Sequence, residues 1–184
     1  MSSQSDCVGD VRRWVSRVVI EHNFCPFARR ELEAERIAWH RVPTLSLTGG
    51  VEALLTVCQE LDQSPECSNA ILVFDEGFGD FEDYLDLVAV AEEALQHAGY
   101  EGIYQLASFH PQYCFEGAEP GDPANFTNRS PWPVLHLLRE SALGAAIANH
   151  PNVESIPETN IAHARELGGQ VFRDLLQRCC NAGD

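Results

Sequence analysis

The residues able to do chemistry fall in three short segments, and the first is built around a thiol. In Asn23-Phe24-Cys25-Pro26-Phe27-Ala28, Pro26 suits the first position of a helix, where its missing N–H leaves no bond unmade. Cys25 would then be the N-cap, with its sulfur facing the free N–H groups of Phe27 and Ala28. The helix dipole and Arg29 or Arg30 would stabilise a thiolate, making Cys25 a nucleophile or a ligand. The plainer alternative is a small buried side chain that closes a turn.

The second segment, Ser108-Phe109-His110-Pro111, lies where an apolar run ends. Ligands of open α/β sheets gather beyond the carboxyl ends of the strands, so His110 stands where a general base, general acid or metal ligand is expected. It would equally serve as a loop histidine bonded to the backbone. The third segment, Thr127-Asn128-Arg129-Ser130-Pro131-Trp132-Pro133, precedes an apolar stretch over residues 134–148 that only His136, Arg139, Glu140 and Ser141 interrupt. Ser130 as N-cap and Pro131 after it read as a helix start. The two prolines remove donors there, so a bound anion would depend on Asn128 and Arg129 rather than on the backbone. One helical turn would separate His136 from Glu140, and Arg139 could pin a carboxylate of the preceding loop, Glu119 or Asp122. A metal site would combine His110 and His136 with Glu119, Asp122 or Cys25. No spacing among them is an established ligand motif, so the cofactor is left open.

These segments need elements to position them. Val11, Trp14, Val15, Val18 and His22 follow helical spacing, and a short helix is expected over residues 26–34. Strands are expected over residues 37–42, 70–74 and 103–109, with helices over 51–62 and from Phe81 to near Gly99 between them. The β-α-β-α-β order predicts an α/β fold with a small, mainly parallel sheet of about three strands. An N-terminal helix precedes it and two C-terminal helices follow, over residues 131–149 and 157–179, the second interrupted at Gly168-Gly169. Residues 110–130 form the one long irregular segment, a length that is usually functional.

The chain has 184 residues, of which 45% are apolar and 22% charged, which predicts a single domain over residues 1–184. Lysine is absent, and twelve arginines face 28 acids for a net charge of −16. Residues 42–128 hold sixteen acids and no arginine, so a polyanion would be repelled there; nucleic-acid and anionic-membrane partners are not expected. No apolar run reaches the roughly 18 residues of a membrane span. Residues 1–10 are polar and lack the pattern of a signal peptide. Seven cysteines, an odd number without Cys-x-x-Cys, indicate reduced thiols and a cytoplasmic location. Oligomeric state is not legible in the sequence.

Taken together, the three segments, the third extended through His136-Leu137-Leu138-Arg139-Glu140, resemble an uncharacterised bacterial family, a domain of unknown function. The resemblance covers roughly residues 10–175. It implies that Cys25, His110, Tyr113, Asn128, Arg129, His136, Arg139 and Glu140 occupy signature positions, and it implies no mechanism. Where the family often carries His-Pro after the second strand, this chain has Phe74-Asp75.

If the three segments converge on one cleft, the expected function is an enzyme acting on a small anionic metabolite. Asn128 and Arg129, with Arg139, Glu140 and Tyr113 nearby, would hold the ligand, His110 or His136 would move a proton, and Cys25 would act as nucleophile. The alternatives are a non-catalytic protein that binds a metal or a small ligand, and an interaction domain whose signature residues are structural.

Overall fold

The structure, a computed structural model, describes residues 6–150 and 152–181. Residues 1–5, which carry part of the signal-peptide reading, lie outside the described residues. Helix α1 (Cys7–Trp14) is capped by Asp6, whose side chain accepts from the Gly9 N–H at 3.0 Å, and it runs directly into a π-helical turn, Val15–Ile20. After α2 (Ala28–Glu33) the chain alternates as expected: β1 (Ile37–Pro43), α3 (Leu47–Gln63), β2 (Asn69–Glu76), α4 (Phe81–His97) and β3 (Tyr104–Phe109). Ser46 and Asp80 cap α3 and α4 by accepting backbone N–H bonds at 3.1 and 2.9 Å.

The expected helix over residues 131–149 is not formed. Its first half is a strand, β4 (Val134–Arg139), and only its second half is helical, α5 (Glu140–Ala148). A continuous apolar run fits a strand buried on both faces as well as a buried helix, and periodicity alone does not separate them. Pro131 and Pro133 push the residues before them toward extended backbone, so the chain enters this run as a strand. Ser130 therefore caps no helix; its hydroxyl donates to the Trp132 carbonyl at 2.5 Å.

The fourth strand also changes the sheet. The order is β1-β2-β4-β3, with β1 parallel to β2 and β4 antiparallel to both its neighbours. The sheet is thus mixed and four-stranded, where a mainly parallel one of about three strands was expected. The β2-α4-β3 crossover skips one position, and β4 returns to fill it.

Alternation along the two central strands creates two cores. Leu72, Phe74, Leu135 and Leu137 face α3 and α4, packing with Leu54, Leu61, Tyr84 and Leu87. Ile71, Val73 and Val134 face α1 and the C-terminal helix over residues 169–180, packing with Val11, Trp14 and Phe172. A pair of helices follows α5: α6 (Ile156–Leu167) and α7 (Gly169–Cys180). They part at Gly168, whose φ of 82° suits glycine, as the sequence break indicates.

The long segment 110–130 is pinned rather than open. Buried Asn125 accepts from the Phe115 N–H at 3.0 Å and donates to the Glu119 carbonyl at 2.9 Å, and Pro123–Thr127 forms a 3₁₀ turn. Near the end of β2, Asp75 accepts from Arg41 Nε at 2.6 Å. No helix among the described residues is long and apolar enough to cross a membrane.

Candidate functional site

The largely apolar cavity on the α1 face of the sheet, about 210 Å³, is the site that the elements build together. Its floor follows from strand register. His136 on β4 lies between Ile71 on β2 and Ala107 on β3, so these three side chains share a face, with Asn69 and Leu138 one step further along. Its roof comes from Trp14, from Val15 and Val19 of the π-helical turn, and from Phe27 and Glu31 near α2. Turns of this kind carry an extra residue and recur at functional sites. Here the widened spacing shows in the Glu21 N–H, which bonds the Ser16 carbonyl at 3.2 Å, and in the Phe24 N–H, which bonds the Val19 carbonyl at 2.9 Å. Asn23, at φ 55°, then turns the chain so that Cys25 reaches the cavity wall.

Cys25 is not an N-cap. A turn closed by the Ala28 N–H on the Cys25 carbonyl at 3.2 Å precedes α2, and Phe27 is the capping position. Burial pushes the Cys25 thiol up, and the N–H groups of Phe27 and Ala28 lower it by less. The thiol is therefore neutral at pH 7, contrary to the expectation of a stabilised thiolate.

His136 is held by a chain of polar groups. The Ser68 hydroxyl donates to Glu31 at 2.5 Å, the Asn69 amide donates to Ser68 Oγ at 2.9 Å, and Asn69 Oδ1 lies 2.9 Å from His136 Nε2. Burial lowers the His136 pKa to about 4, so the ring is neutral. Trp14, in the roof, has a buried indole N–H with no hydrogen-bond partner. Arginine is absent from the cavity lining.

The convergence foreseen from the sequence is partial. Cys25 and His136 line the same cavity, and Asn128 lines an adjoining pocket of about 310 Å³ that shares Cys25, Val19 and Phe109 with it. Asn128 itself donates to the Ser108 carbonyl at 3.3 Å. His110 does not join them. It is fully buried beside Phe81 and Tyr84, with Nε2 donating to the Phe78 carbonyl at 2.9 Å and Nδ1 accepting from the Gln112 N–H at 3.0 Å. Burial lowers its pKa, so it is a neutral brace between β3 and the turn before α4.

The remaining residues of the three segments fasten the chain to itself. Arg129 donates to the carbonyls of Tyr113 at 2.9 Å and Pro120 at 2.8 Å and lies over the Phe126 ring, while the Tyr113 ring packs on Phe81 and Phe115. Arg139 meets neither Glu119 nor Asp122. It donates to the Leu61 carbonyl at 2.6 Å and the Cys67 carbonyl at 3.3 Å, closing the end of α3. Asp122 pairs with Arg165 at 2.7 Å, and that guanidinium holds its carboxyl down at about 2. Glu119 and Glu140 are exposed, and Glu140 opens α5 instead of facing His136 across a helical turn. The proposed ligand set of His110, His136 and Glu119 is not assembled; among the described residues no three His, Cys, Asp or Glu side chains converge.

Sequence reasoning missed Asn69 and the cavity role of Trp14. The signal for Asn69 was there: an amide directly before the fully buried run 70–74 is a polar group that needs a partner inside the domain.

The family described as Protein of unknown function (DUF1415) matches residues 6–174. No curated protein and no solved structure matches the chain.

Proposed function

The chain belongs to the DUF1415 family of unknown function, and we propose that it binds a small, uncharged, largely apolar molecule in the cavity between its N-terminal helices and the sheet. The observation that carries this reading is the lining. Carbon atoms make up nearly all of the wall; of the polar side chains that line it, Cys25 and His136 are held neutral by burial, Asn69 carries no charge, and Glu31 alone is acidic. An apolar cavity of about 150 Å³ holds benzene, so this one takes roughly eight or nine non-hydrogen atoms.

This reading moves away from the small anionic metabolite expected from the sequence. Arg129 and Arg139 are occupied by backbone carbonyls, so an anion in the cavity would have no cation beside it and would meet Glu31 instead. Two neutral groups suit recognition of an uncharged molecule better than formation of a thiolate–imidazolium pair, so we place binding ahead of catalysis. His110, Tyr113, Arg129 and Arg139 serve the fold in this reading.

Titration with toluene, followed by backbone amide NMR, tests it. Shifts should gather on lining residues such as Ile71, Ala107 and His136, and Ala107→Leu, which fills the cavity, should abolish them. Shifts scattered over the surface, or unaffected by Ala107→Leu, would overturn the proposal.

A further inference from the structure

The bonding chain behind His136 fixes more than its position. The Glu31 carboxylate only accepts, so the Ser68 hydroxyl must give its proton to it, at 2.5 Å. Ser68 Oγ is then an acceptor for the Asn69 amide at 2.9 Å, which turns the Asn69 carbonyl oxygen toward His136. That oxygen also only accepts, so the proton of the neutral imidazole must sit on Nε2. Nδ1 is left with a bare lone pair. None of the described residues donates to it, and it is not among the buried atoms sealed off without a partner, as the Trp14 indole N–H is.

We propose that the ligand of this cavity is a small apolar molecule carrying one hydrogen-bond donor, a hydroxyl or an N–H, which it gives to Nδ1 of His136. Phenols, indoles and short alcohols belong to this class; ketones, ethers and carboxylates do not. A carbonyl or ether oxygen would set its lone pair against that of Nδ1. A carboxylate would add a charge in a wall where Glu31 is already negative and no arginine is present. Glu31, Ser68 and Asn69 thereby act as positioning residues, holding the imidazole in the accepting tautomer from its Nε2 side.

The inference rests on the cavity being a ligand site, and a matched pair of probes separates the two claims. Phenol and toluene have the same number of heavy atoms and differ by one donor. Both should bind the wild-type protein, and His136→Leu should weaken phenol tenfold or more while changing toluene less than threefold, because a buried hydroxyl without an acceptor is costly. Failure of both probes to bind at millimolar concentration would overturn the cavity reading itself. Binding of both, with phenol unaffected by His136→Leu, would overturn only the assignment of the donor. Should His136→Leu not fold, imidazole ¹⁵N resonances of the wild-type protein decide. Protonation on Nε2, with an Nδ1 signal that moves on adding phenol and not toluene, supports the inference; protonation on Nδ1, or an Nδ1 signal indifferent to phenol, refutes it.

Discussion

The neutral state of His136 makes acid a specific probe of the site. In the unfolded chain the imidazole takes a proton as the pH falls through its ordinary value of 6.5, whereas in the folded protein burial delays this to about 4. The unfolded state therefore binds more protons between those values, so the stability contribution is fully present above pH 6.5, is lost as the pH falls, and levels off below pH 4. Titration near 4 instead of 6.5 corresponds to roughly 3 kcal/mol, about 2 kcal/mol of which is lost between pH 7 and pH 4.5. His22 and His110 are also held down by burial, so the wild-type slope mixes several groups. Urea unfolding of the wild type and of His136→Gln, followed by far-ultraviolet circular dichroism at both pH values, isolates the contribution of His136. The difference in stability between the two proteins should shift by about 2 kcal/mol in favour of His136→Gln on acidification. A shift below about 0.5 kcal/mol would mean that His136 is freely protonated in the folded state, and the accepting Nδ1 would lose its basis.

Three further outcomes follow from contacts described above. Arg139→Ala strips charged donors from the Leu61 and Cys67 carbonyls and should cost about 2–3 kcal/mol, seen as a fall in Tm of roughly 4–10 °C. Arg139→Lys should recover only part of that loss, since an ammonium cannot reproduce the fork. Leu135→Ala, in the middle of β4, should cost about 2–4 kcal/mol in denaturant unfolding; a cost under about 1 kcal/mol would argue against a central strand there. Iodoacetamide at pH 8 should alkylate exposed Cys180 well before the half-buried Cys25, and peptide mass spectrometry that finds Cys25 labelled first would restore it as a reactive thiolate.

Elements with a strict period or an unambiguous stop were legible in the sequence. The stripe Leu54, Cys58, Leu61 before Ser64-Pro65 marks α3, and Gly168 marks the break between α6 and α7. Val134 to Arg139 was not legible as a strand, because leucine suits a helix and a strand buried on both faces has no alternation to display. That one misassignment carried the site with it. Placed on a helix, His136 looks toward Glu140; placed on β4, it faces Ile71 and Ala107 and meets Asn69, a residue that local spacing could not connect to it across 67 positions. Cys25 and His136 were recognised as chemically interesting, but His110 and Arg129 were drawn in by proximity in sequence to loops, and their partners turn out to be backbone carbonyls.

The place of β4 in the sheet bears on how the protein is made. Translation delivers β1, β2 and β3 well before residue 134, yet β2 and β3 share no edge and wait for a strand that comes last. Until β4 arrives, the nascent chain holds two unsatisfied strand edges lined by Ile71, Val73 and Leu106, the kind of surface on which chains aggregate or recruit chaperones. Insertion of the strand that carries His136 then completes the sheet and the cavity floor in the same event.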